Sequence, residues 1–140
     1  MSTRCQVRVN QLNCGWDQSV TLYHHCDGYP SNMLPLIASS YKPDWEHGRA
    51  GKVASFLCAV DPGSFEPESG HDLHGDIEWY YVLNVKNNQD GTLGEKPTWE
   101  IEVYRPKDGF YKLDNPTVAN LTLVSTVPLS KATKTTGNKL

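Results

Sequence analysis

Ile77-Glu78-Trp79-Tyr80-Tyr81-Val82-Leu83-Asn84-Val85 alternates with a period of two. Ile77, Trp79, Tyr81, Leu83 and Val85 fall on one side, and Glu78, Tyr80, Val82 and Asn84 on the other. Successive side chains of a strand point to opposite faces, so this run is a strand with one wholly apolar face. Thr98 to Tyr104 repeats the pattern, with Trp99, Ile101 and Val103 inward and Glu100, Glu102 and Tyr104 outward. The simplest pairing of the two is antiparallel, across a loop from Lys86 to Pro97 that carries Asp90-Gly91. Leu121 to Val127 reads as a further edge strand.

Upstream, Cys5 to Asn10 alternates, with Val7 and Val9 on one face. Asn13-Cys14-Gly15-Trp16-Asp17 reads as a turn, and Val20 to His25 as a second strand, so the two form a hairpin. The same phase places His24 with Val20 and Leu22 in the core and leaves His25 exposed. Asp27-Gly28-Tyr29-Pro30 is a turn in which Gly28 permits positive φ and Pro30 holds Tyr29 extended. Ser31 or Asn32 then caps a helix reaching Tyr41, with Leu34, Ile37 and Tyr41 on one face. Pro35 falls in its first turn, where few N–H bonds are lost.

A second helix covers about Arg49 to Val60, where Val53, Phe56, Leu57 and Val60 follow helical spacing. Asp61 to Asp76 is a long loop rich in Gly and Pro, of the kind that is functional or mobile. The order β-β-α-α-β-β-(β) predicts an α+β fold: an antiparallel sheet of about four to five strands with two helices packed on one face, the other face partly polar. Residues 1–129 form a single domain, and 130–140 a flexible C-terminal tail.

Composition narrows the function. A chain of 140 residues with 38% apolar residues, four Trp and seven Tyr can bury a core. A net charge of −3 provides no global basic field, which argues against generic nucleic-acid binding. No apolar run approaches membrane length. Charge is uneven: Asp61 to Glu78 holds Asp61, Glu66, Glu68, Asp72, Asp76 and Glu78 with no Lys or Arg, whereas from Asn115 onward only Lys131, Lys134 and Lys139 are charged. Cys5, Cys14, Cys26 and Cys58 include no C-x-x-C pair, which fits free thiols in a reducing cytoplasm.

Chemistry-bearing residues gather at two places, His24-His25-Cys26-Asp27 and His71-Asp72-Leu73-His74-Gly75-Asp76. Their types suit zinc, but neither cluster has a recognised ligand spacing, so no metal or other cofactor is expected. Cys26 with His25 or His74 as base and Asp76 as orienter would make a nucleophile, yet no nucleophile-elbow or papain-type motif surrounds it. His25, Asp27, Asp76 and Glu78 offer acid–base groups. A binding site asks less: Tyr23, Tyr29, Tyr80, Tyr104 and Trp16 offer aromatic faces, and His25, Asp27, Arg49, His74 and Asp76 offer hydrogen bonds. The candidate ligand-binding set is Tyr23, His25, Asp27, Tyr29, Arg49, His74, Asp76 and Tyr80, with no catalytic residue assigned.

Tyr23-His24-His25-Cys26-Asp27-Gly28-Tyr29-Pro30 resembles the Tyr-Arg-His-Trp-Asp-Gly-Tyr-Pro signature of a family of small phage and prophage proteins, mostly of unknown function. It departs at His24, where the family has Arg, and at Cys26, where it has Trp. Gly75-Asp76-Ile77-Glu78 is similar to the family's Gly-Asp-Ile-Glu-Tyr strand start, and the likeness spans residues 18 to 105.

The resemblance implies a phage-type counter-defence protein in the bacterial host cytoplasm. It would be a non-catalytic binder that blocks a host defence protein or sequesters a nucleotide-derived immune signal. Its site would lie where the Tyr23–Pro30 turn meets the His74–Tyr80 strand start, with Asp76 orienting His25 or His74. The alternatives are a small nucleotide-processing enzyme using His/Asp acid–base chemistry, with or without a metal, and a structural or morphogenetic phage protein. An exposed strand edge and many aromatic residues also allow a homodimer.

Overall fold

In the computed structural model, residues 2–11, 18–86 and 98–140 are described. The chain is α+β, built on one mixed sheet with the spatial order β3-β2-β1-β4-β5-β6. The strands are β1 (Cys5–Val9), β2 (Val20–His24), β3 (Phe65–Pro67), β4 (Trp79–Lys86), β5 (Thr98–Pro106) and β6 (Leu121–Pro128). The helices are α1 (Pro30–Ser39), α2 (Ala50–Val60) and α3 (Lys134–Asn138).

The β1–β2 hairpin and the antiparallel β4–β5 pair are those expected for strands adjacent in the chain, and the expected edge strand, β6, pairs antiparallel with β5. Two features correct the expected sheet. Among the described residues it has six strands, because Phe65–Pro67, inside the acidic loop, pairs with β2. It is not wholly antiparallel, because β4 returns to lie parallel to β1, with Val7 opposite Tyr81. Alternation within a strand carries no information about the direction of its neighbour, so the parallel pair was invisible in the sequence.

The apolar face of the sheet carries Val7, Val9, Leu22, Tyr81, Leu83, Ile101 and Val103, all fully buried. Against it pack Met33, Leu34 and Ile37 of α1, Val53 and Leu57 of α2, and Trp45 from the 3₁₀ turn Pro43–His47. Trp45 joins Trp99 edge to face, at 5.3 Å between ring centroids, and its carbonyl accepts the Trp99 indole N–H at 3.1 Å. Each such side chain contributes about 1.5–3 kcal/mol on burial.

Residues 130–140, expected as a flexible tail, form the turn Leu129–Lys131 followed by α3. Ala132 is buried, and Gly137 sits so close to the start of α1 that a Cβ there would fall 2.5 Å from the Pro30 carbonyl carbon. The segment docks through the close backbone approach at Gly137 and through Ala132, Leu129 and Leu140, which pack against the core.

The opposite face is covered by two loops. Residues 68–78 lie over β1 and β2, and residues 107–120 lie over β4 and β5. Leu73, Ile77, Tyr80, Val82, Phe110 and Leu121 form a second apolar cluster there. The Asn13–Asp17 turn, with Cys14 and Trp16, and most of the Lys86–Pro97 loop lie outside the described residues.

Candidate functional site

Register decides which residues meet on the loop-covered face. Tyr23 of β2 stands opposite Glu66 of β3 on one side and Gln6 of β1 on the other. Gln6 in turn stands opposite Tyr80 of β4, and Tyr80 opposite Tyr104 of β5. The result is one row, Glu66–Tyr23–Gln6–Tyr80–Tyr104, running across five strands.

Gln6 holds the acidic loop onto this row. It is fully buried, a costly place for an amide unless its groups are paired. Its Nε2 donates to the Asp72 carbonyl at 3.0 Å, and its Oε1 accepts from the His74 N–H at 3.0 Å. The Glu68 N–H donates to the Thr21 carbonyl at 2.9 Å, and Thr21 Oγ1 hydrogen-bonds His71 Nδ1 at 2.7 Å. Leu73 and Ile77 bury themselves beside Tyr80, and complete the attachment.

So fixed, the loop sets His74 flat on Tyr23, with ring centroids 4.6 Å apart and planes 21° from parallel. His74 Nε2 makes a short hydrogen bond to Glu68 Oε1. The Tyr23 hydroxyl hydrogen-bonds His25 Nδ1 at 2.9 Å. Asp76 Oδ2 meets Arg4 Nε at 3.4 Å. The Tyr23 phenol is held above its ordinary range, by burial first and then by the negative charges of Asp76 and Glu66, with Arg4 opposing. The loop also forms an open pocket of about 280 Å³ lined by Glu68, Ser69, Gly70, Asp72, Leu73 and His74.

The expected site residues thus divide. Tyr23, His25, His74 and Asp76 come together on one surface. Tyr80 lies on the same row but is fully buried, packed edge to face on Tyr104 at 6.2 Å. Tyr29 is exposed at the N-cap of α1, and Asp27 is the preceding turn residue. Arg49 sits far off, at the start of α2, by the Val9–Val20 end of the hairpin. There it lines a cavity of about 450 Å³ with Gln11, Gln18, Val20, Gly51, Lys52 and Ser55. Asp76 was expected to orient a histidine; it pairs with Arg4, and Glu68 is the carboxylate that His74 uses.

Gln6, Glu68 and Arg4 were missed as site residues. Gln6 carries no signal in the sequence, where it shares the polar face of the Cys5–Asn10 run with Arg8 and Asn10; only the structure buries it. The exposed thiol of Cys26 has its Sγ 3.5 Å from Ser2 Oγ, while Nδ1 of His25 is engaged by Tyr23. Cys5 is buried and its thiol pushed far up by that burial, and Cys14 lies outside the described residues. Among the described residues, no three His, Cys, Asp or Glu side chains are grouped to hold a metal ion, and no helix is long and apolar enough to cross a membrane. In comparison with known proteins, no family model, curated protein or solved structure matches this chain.

Proposed function

We propose that this protein is a phage-type counter-defence protein: a non-catalytic binder that blocks a host defence protein with the acidic face around Tyr23 and His74. The observation that carries the reading is that the ionisable groups of this face are already satisfied by one another. His74 is held by Glu68, Asp76 by Arg4, and His25 by Tyr23. A surface arranged in this way loses little freedom on association and is suited to recognition. Its cavity, at about 280 Å³, is below the usual range for enclosing a small ligand.

Charge selects the partner. The stretch from Asp61 to Glu78 is acidic without a Lys or Arg, so it repels phosphates and attracts a basic protein surface. A defence protein that handles nucleic acid presents such a surface. The resemblance of Tyr23–Pro30 to the phage signature supports the same setting, a bacterial host cytoplasm.

A second reading, sequestration of a nucleotide signal, is favoured by a different place. The cavity of about 450 Å³ beside Arg49 and Lys52 has the size and charge for a phosphate-bearing ligand, although the Ala50 N–H there is already taken by Gln11 Oε1 at 3.2 Å.

The test is native mass spectrometry of protein purified from bacteria, together with capture from a host carrying defence systems. We expect a nucleic-acid-processing protein to be captured and inhibited by the wild type. Glu68→Lys with Asp72→Lys should release it, while Arg49→Ala should not. A nucleotide recovered intact, and lost in Arg49→Ala, would replace the first reading with the second. A nucleotide recovered chemically altered would point to the enzyme alternative. Absence of both partner and ligand would favour a structural phage protein.

A further inference from the structure

We infer that the groove between α2 and the outer strands β2 and β3 binds a single-chain amphiphile, an aliphatic tail ending in a carboxylate or phosphate. The groove exists because one side of α2 is small. Gly51, Ala54, Ser55 and Cys58 recur at helical spacing and line it together with Val20 and Leu22 of β2, whereas Val53 and Leu57 of the same helix fill the core. Two open cavities result, of about 450 and 270 Å³, and they share Val20, Gly51 and Ser55. They are therefore one continuous groove along the helix.

Its two ends differ in chemistry. One end is completed by Leu22, Ala54, Cys58 and Pro67, with no charged group and no aromatic ring. Burial holds the Cys58 thiol there above its ordinary range. The other end is completed by Gln11, Gln18, Arg49 and Lys52. Gln11 is already committed: its Nε2 donates to Gln18 Oε1 at 2.6 Å, and its Oε1 accepts the Ala50 N–H at 3.2 Å. These bonds tie the hairpin to the start of α2 and leave Gln18 Nε2 as a donor. Lys52 Nζ lies 3.8 Å from Asp44 Oδ2, which offsets its charge. Arg49 is exposed, and among the described residues no ion pair engages its guanidinium.

This division selects the ligand. A compact anion suits Arg49, whose N–H donors form a fork matched to carboxylate and phosphate oxygens. An aliphatic chain suits the far end, where the lining neither stacks nor hydrogen-bonds. The Ser55 hydroxyl at the junction already donates to the Lys52 carbonyl at 2.6 Å. A nucleobase placed in the apolar end leaves its polar edge unpaired, at a cost that an alkyl chain does not meet. The assignment goes beyond the nucleotide reading, which uses the cationic end alone, and it does not involve the acidic face on the other side of the sheet.

Isothermal titration calorimetry of the full chain with acetate, hexanoate, octanoate and decanoate tests it, each ligand below its micellar concentration. Octyl phosphate and inorganic phosphate form a second series. From hexanoate to decanoate the affinity should rise about two- to four-fold per methylene, as apolar transfer from water predicts. Octyl phosphate should bind about 100-fold or more tighter than inorganic phosphate. Arg49→Ala should weaken octanoate and decanoate alike, by about 10-fold, and keep the increment per methylene. A Cβ at Gly51 meets nothing within 4 Å, and glycine is a poor helix former, so Gly51→Phe plugs the junction without lowering the melting temperature. Ser55→Phe, at an exposed position of the same junction, is the second plug. Either plug should abolish the dependence on chain length. Decanoate should also slow alkylation of Cys58, and not of the exposed Cys26, in peptide mass mapping. No decanoate binding at about 1 mM overturns the assignment, as does an affinity that ignores chain length or survives both plugs. Adenosine monophosphate outcompeting octyl phosphate also overturns it, and returns the cationic end to the nucleotide reading.

Discussion

Gly28 illustrates how a residue can be required for a reason other than the one its type suggests. In a turn it reads as the position of positive φ, yet it is Asp27 that takes φ 54°, a conformation open to Asp at modest cost. Gly28 is needed for close approach: a Cβ there would lie 2.8 Å from Cys5 Cβ and 2.9 Å from the Thr3 carbonyl oxygen. Its N–H donates to that same oxygen, and its carbonyl accepts from the buried Tyr81 hydroxyl at 2.6 Å. Gly28→Ala should therefore destabilise by about 1–3 kcal/mol in urea unfolding, as overpacking does. His24, read as a core histidine, is indeed buried, and its Nε2 meets Asp61 Oδ2 at 3.1 Å. That hydrogen bond, reinforced by Ser64, lowers the pKa of the Asp61 carboxyl. A carboxylate with a depressed folded pKa stabilises above its unfolded pKa, near 3.8, and loses that contribution as pH falls through the folded value. Thermal melts between pH 5 and about pH 2 should show this acid loss in the wild type and a smaller one in Asp61→Asn.

At the scale of elements, what holds the acidic loop matters more than what the loop contains. Gln6 supplies two hydrogen bonds to the loop backbone from inside the sheet. Gln6→Ala strands the Asp72 carbonyl and the His74 N–H, at a cost of about 1–3 kcal/mol. We expect hydrogen exchange to accelerate across residues 68–78 in that variant while β4 and β5 stay protected. At the other end, α3 is only five residues long and depends on its contact with α1. Gly137→Ala would place a methyl group 2.5 Å from Pro30 and Ser31 backbone atoms. Limited proteolysis should then release the last residues, from about Leu129 on, from a domain that is otherwise intact. The helices themselves were legible because their apolar spacing is strong, but α1 begins at Pro30, earlier than expected. Proline suits the first helical position, so the residue expected to precede the cap opens the helix instead. Asn32 does not cap it; its side chain donates to the Asp27 carbonyl at 2.8 Å and braces the turn.

For the whole molecule, the two sides of the sheet have different tasks. The helical side closes the core, while the loop side presents the acidic, aromatic surface proposed to meet a partner. If charge steers that encounter, association should slow about 10-fold or more as ionic strength rises from 0.05 to 0.5 M, because screening shortens the reach of exposed charges. Stopped-flow or surface-binding kinetics would read this, with dissociation much less affected. The sequence alone determined that the chain is α+β, where β1, β2, β4, β5, β6, α1 and α2 lie, and that His24 turns inward while His25 faces out. These follow from periodicity, which each segment carries within itself. It also showed Tyr23, His25, His74 and Asp76 as candidates by their chemistry. Only the tertiary structure decided that β4 lies parallel to β1, that Phe65–Pro67 becomes an edge strand, and that the C-terminal residues dock on α1. It also decided that Glu68, not Asp76, partners His74, and that Arg49 lies at the other end of the hairpin. Those outcomes depend on register and on contacts between residues distant in the chain, where the pattern of any one segment is silent.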